Sequence, residues 1–135
     1  MFKKIAISLI LLILAVSVVS AIDMEDMKVP DGFEKSSSNC FEKGKFELNI
    51  APYSDSNKDL VFEDEDNYKI SEYSSNIYTY VDKLVKHAGA VEVVEINGEK
   101  YLVECLKEDT ISDESSAYRY LTEFNSLNDL TPIEP

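Results

Sequence analysis

The stretch Ala90–Leu106, AVEVVEINGEKYLVECL, constrains this chain more than any other. Asn97-Gly98 separates two runs rich in Val, Ile, Tyr and Leu. A two-residue hairpin turn needs positive φ at both central positions, and Asn and Gly adopt it at least cost. The turn fixes a register in which Ile96 faces Glu99, Glu95 faces Lys100, Val94 faces Tyr101, Val93 faces Leu102 and Ala90 faces Cys105. One side then carries Ala90, Glu92, Val94, Ile96, Tyr101, Val103 and Cys105; the other carries Val91, Val93, Leu102 and Leu106. Both sides are apolar, so the hairpin is expected at the centre of a sheet covered on both faces.

Other segments supply further strands. Lys45–Ala51 alternates, with Phe46, Leu48 and Ile50 on one side and Lys45, Glu47 and Asn49 on the other, which predicts a half-buried strand. Lys43-Gly44 suggests a hairpin with Cys40-Phe41, and Pro52 ends the strand or puts it at an edge. Leu60–Phe62 and Tyr68–Tyr73 read as short strands, Lys35–Asn39 as a loop or weak edge strand, and Ser54–Lys58 as a polar loop. Ile77–Val81 is β-branched and aromatic and favours a strand. Asp82–Ala88 reads as helical, with Gly89 as its cap. Ser112 is expected to cap a C-terminal helix whose apolar face is Ala117, Tyr120, Leu121, Phe124 and Leu127. The expected fold class is α+β: an antiparallel sheet of about five strands with this helix packed on one face.

Residues 1–21 read as a signal peptide: Lys3 and Lys4, an apolar run from Ile5, and small residues at Val19-Ser20-Ala21. The alternative is an uncleaved anchor, with the membrane reached only through residues 1–22. Either way residues 22–135 emerge outside as one domain, secreted or at the cell surface. Ile22–Lys28 reads as a loose lead-in, and Val29–Glu34 as a turn after which Phe33 anchors the chain on the sheet.

Acidity narrows the partners. The chain has 26 acidic and 13 basic residues, a net of −13, and removal of Lys3 and Lys4 takes the net to −15. Such a surface repels phosphate backbones, so nucleic acid is excluded as a partner. No Asn-x-Ser/Thr sequon is present.

Candidate chemistry is sparse. Cys40 and Cys105 are the only cysteines. In an extracellular setting they form either a disulfide or two small buried thiols. Asp55, Asn57, Asp59 and Asp66 echo a calcium loop. Leu60 stands where that loop needs Gly, however, and flanking helices are missing; a solvated acidic loop is the alternative. His87 is the only histidine, expected at a helix end, and a Cys–His pair is conceivable only if the fold brings them together. Tyr78, Tyr80 and Tyr101 are expected to pack rather than to form a ligand face.

The hairpin Gly89–Val103, the leader, the Val29–Phe33 opening and the closing Glu123–Asn128 together resemble small exported proteins of methanogenic archaea. That family is uncharacterised. The resemblance implies a secreted or cell-surface setting and assigns no functional residue. The reading is therefore a small acidic exported domain acting as a non-catalytic binding or structural module on an unknown protein or surface ligand, without a cofactor. The alternatives are a secreted hydrolase using carboxylates or a Cys–His pair, and a calcium-dependent surface element.

Overall fold

A computed structural model of the chain describes residues 26–37, 39–58, 61–62 and 69–135. The elements run β1 (Glu34–Ser37), β2 (Cys40–Lys43), β3 (Phe46–Pro52), the one-turn helix α1 (Asp55–Lys58), β4 (Lys69–Ser74), β5 (Ile77–Asp82), β6 (His87–Ile96), β7 (Glu99–Glu108), α2 (Glu114–Leu127) and β8 (Pro132–Ile133). The strands pair antiparallel in the spatial order β1-β2-β3-β7-β6-β5-β4, and β8 joins β6. The architecture is α+β, as expected, but the described residues form eight strands rather than about five. The extra ones are short pieces such as β1 and β8, which have too few residues to show an alternation.

β6 and β7 lie at the centre with the register set by the turn: Val94 pairs with Tyr101, Val93 with Leu102 and Ala90 with Cys105. Asn97 and Gly98 have φ of 53° and 83°. The hairpin runs past the expected ends to the pair His87–Glu108. On one face Ala90, Val94, Tyr101, Val103 and Cys105 join Leu48 and Ile50 beneath Ala117, Leu121 and Phe124 of α2, with Phe33 packed alongside. On the other face Ala51, Val91, Val93, Leu102 and Leu106 pack with Tyr80 and Val61. Val61 and Phe62 lie outside any strand; Leu60 and Glu63–Asp66 lie outside the described residues.

Other expectations about these elements are corrected too; the polar loop Ser54–Lys58, for one, holds the helical turn α1. Asp82–Ala88 is not helical. Asp82 ends β5, its Oδ1 accepts the Leu84 and Val85 amides at 3.0 and 3.3 Å, and the chain turns back into β6. Lys86 takes a positive φ of 57° to close that turn. Gly89 is then a strand residue: a Cβ there would lie 2.6 Å from the Cys105 carbonyl oxygen and 3.0 Å from the Tyr80 ring. The N-cap is Asp113, not Ser112: its backbone carbonyl accepts the Ser116 and Ala117 amides at 3.1 and 3.4 Å, while its carboxylate accepts from Lys107 Nζ at 2.7 Å and the Ser116 hydroxyl at 2.5 Å.

The buried stripe of α2 also differs from the expected one. Asn125 is buried, Leu127 is 39% exposed, and Tyr118, outside the expected apolar face, donates its hydroxyl to Ser74 Oγ at 3.0 Å. Of the lead-in, residues 22–25 lie outside the described residues, but its last residue is held rather than loose. Lys28 is pinned by Asn128, whose Oδ1 accepts the Lys28 amide at 2.8 Å and whose Nδ2 donates to the Lys28 carbonyl at 2.7 Å.

Candidate functional site

Residue parity along the strands decides which reactive groups can meet. Cys105 lies on the helix face beside Leu48, its partner in β3. Cys40 pairs with Asn49, whose neighbours Leu48 and Ile50 point the other way, so Cys40 lies on the opposite face with β3 between the two thiols. Both are free and buried, the second of the two alternatives the sequence left open. Burial drives Cys105 far above the usual thiol range and Cys40 up to about 11, so neither supplies a thiolate near neutral pH.

His87 opens β6 on the face away from α2, paired with Glu108 of β7 and Asp82 of β5. Burial lowers its pKa, outweighing the pull of Glu108, Asp82 and Asp109. Cys105 is on the other face, so no Cys105–His87 pair exists. Of the calcium-like spacing, Asp55 and Asn57 fall on α1, with Asp55 exposed, while Asp59 and Asp66 lie outside the described residues. Among the described residues no group of three or more His, Cys, Asp or Glu is placed to hold a metal ion.

The structure gathers acids that spacing alone did not single out. Glu92 is fully buried under α2, where Asn125 Nδ2 donates to its Oε1 at 2.6 Å. Burial pushes Glu92 up to about 8, against the opposing effect of that bond. Glu104, on the other face, accepts the Tyr80 hydroxyl and is also raised by burial to about 8. Asn49 pairs with Glu104 across β3 and β7, is fully buried, and neither of its amide atoms makes a hydrogen bond of normal geometry. Glu47, two residues earlier and half-buried, is raised by burial and by its bond to Glu108. Neutral acids enclosed as Glu92 and Glu104 are reach no solvent substrate. They tie β5 to β7 and fix α2 on β6.

An open groove of about 340 Å³ lies on the same face as Glu104, at the β4 side of the sheet. Glu72 stands opposite Tyr78 in the β4–β5 register. Phe62 meets Tyr78 edge-on, with centroids 5.1 Å apart and ring planes at 66°, so the two rings form a corner. β8 pairs with β6 only at Val93 and Val94, because β5 occupies that edge from His87 to Glu92. The chain must leave the sheet there, and Glu134 comes to line the groove, with Lys58 from α1 on its rim. Burial, then Glu72 and Glu134, pushes the Tyr78 phenol above its ordinary value, which places both carboxylates around it.

No protein-family model, curated protein or solved structure matches the chain. The groove could not be read from sequence, since Phe62, Tyr78 and Glu134 lie far apart along the chain and meet only in the folded protein. The one signal was the excess of tyrosine around Ile77, which the sequence assigns to packing; Tyr78 both packs and lines the groove.

Proposed function

We propose that this protein is an exported, non-catalytic binding module that engages its ligand at the Tyr78 groove. The observation that carries the reading is the make-up of that groove. It is an aromatic corner with carboxylates at its rim, and its lining includes neither cysteine nor histidine. The groups suited to nucleophilic or acid–base work lie elsewhere. Cys105 and His87 are on opposite faces, and Glu92 and Glu104 are enclosed. Pockets of this size hold small ligands or single side chains, oriented by a few polar groups. The leader in residues 1–21 supports a secreted or cell-surface setting, in line with the resemblance to exported archaeal proteins.

The test is an NMR titration of the tyrosine-labelled protein with a panel of small peptides, sugars and amines, run beside assays with chromogenic esters and glycosides. The expected result is saturable perturbation at Tyr78 and no turnover. Hydrolysis above the buffer rate, abolished in Glu72→Gln or Glu134→Gln, would establish the hydrolase instead. Export is tested by the mass of the protein recovered outside the cell, which should lack residues 1–21.

A further inference from the structure

Resting on the groove as the binding site, we propose that it recognises a basic side chain, a lysine or arginine presented by a partner polypeptide. Tyr78 and Phe62 set at 66° are two walls of an aromatic cage. A cation over the face of such rings is attracted by their quadrupole, more strongly when partly desolvated. Glu72 and Glu134 supply the other sides, and both act electrostatically on the Tyr78 phenol. Glu72 is fixed in place, since its Oε2 accepts the Asn76 amide at 2.9 Å in the β4–β5 turn. Lys58 opposes a second cation, but one ammonium against two carboxylates leaves the groove net negative. The whole chain, at −13, steers cations toward it.

A neutral sugar fits less well. Of the polar groups lining the groove, Ser71 and the Tyr78 hydroxyl are uncharged, and the charged ones carry a net negative charge that a sugar does not neutralise. The openness of the groove distinguishes a side chain from a free small amine. A small ligand is held by burying most of its surface. β4, which forms one bank, is the outermost strand on this side of the described sheet, so a polypeptide can run past and lower one side chain into the corner.

The experiment titrates the full chain with capped Gly-Gly-Lys-Gly-Gly and Gly-Gly-Arg-Gly-Gly, with the Gln counterpart and with cellobiose, following Tyr78 by NMR. The Lys or Arg peptide is expected to bind at least about tenfold more tightly than the Gln peptide, and to weaken as salt rises. Glu134→Gln and Glu72→Gln should each weaken binding about three- to tenfold. Both sites are exposed, and Gln keeps the acceptor for Asn76, so unchanged melting curves will show that the fold persists. Tyr78→Leu should abolish the preference. Equal binding of the Gln peptide, or cellobiose bound in place of the basic peptides, overturns the cationic ligand and leaves the groove as a binding site. Silence of Tyr78 toward every probe overturns both readings.

Discussion

Asn125 of α2 reaches through the helix–sheet interface to donate its amide to Glu92 of β6 at 2.6 Å, in a contact with no solvent exposure at the acid. The bond ties the only long helix among the described residues to the central strand. It also makes the fold responsive to pH, because the acid it holds is neutral over part of the physiological range.

Glu92 and Glu104 have folded pKa values near 8 against an ordinary 4.5, and Glu47 is raised as well. Below the unfolded value both states hold the proton, and the stabilisation is complete. As pH rises from there through the folded pKa, the unfolded chain releases protons that the folded one retains, so stability falls. The slope is at most about 1.4 kcal/mol per pH unit for each group. His87 acts in the opposite sense, losing stability as pH falls below 6.5, so the cleanest window lies above neutrality. Urea midpoints are expected to drop by the equivalent of roughly 1–3 kcal/mol between about pH 7 and pH 8.5. Glu92→Gln should flatten that slope. A midpoint that rises over the same window would contradict the assignment.

Two glycines are needed for different reasons. Gly98 has φ +83° with nothing within 4 Å of the place a Cβ would take, so Gly98→Val suffers from backbone strain alone, roughly 1–3 kcal/mol. Gly89 meets the Cys105 carbonyl and the Tyr80 ring, so even Gly89→Ala must move the strand or the ring, at roughly 1–3 kcal/mol. Asn separates the two causes. Gly98→Asn should be nearly neutral in a chemical melt, since Asn tolerates positive φ, whereas Gly89→Asn should be at least as costly as Ala.

Cys40 and Cys105 should count as two free thiols in unfolded, unreduced protein and resist alkylation while the chain is folded, because both are buried and protonated. Absence of free thiol under those conditions would mean that a disulfide forms despite the opposite faces.

Asn128→Ala removes two bonds to Lys28 and one to the Phe124 carbonyl at 2.8 Å. The expected loss is roughly 1–2 kcal/mol, since these bonds are partly exposed. Hydrogen exchange at the Lys28 amide should accelerate beyond the global change; equal acceleration everywhere would show that the clamp is not local.

Local rules determined the centre of this protein. Asn97-Gly98 set the register of β6 and β7 residue by residue, because turn geometry and period-two alternation act within a few bonds of the chain. The apolar alternation of Phe46, Leu48 and Ile50 placed β3 on the helix face for the same reason. The half-buried reading of that strand failed at Asn49, which looks like a solvent position yet is covered, since cover comes from segments distant in sequence. Asp82–Ala88 with Gly89 after it matched a helix end locally, but Asp82 closes a turn and Tyr80 needs the space above Gly89, a requirement that exists only once β5 and β6 are paired. The separation of the cysteines, the neutrality of Glu92 and Glu104, and the meeting of Phe62, Tyr78, Glu72 and Glu134 depend on strand order and desolvation. Those are properties of the assembled sheet, and tertiary structure alone decided them.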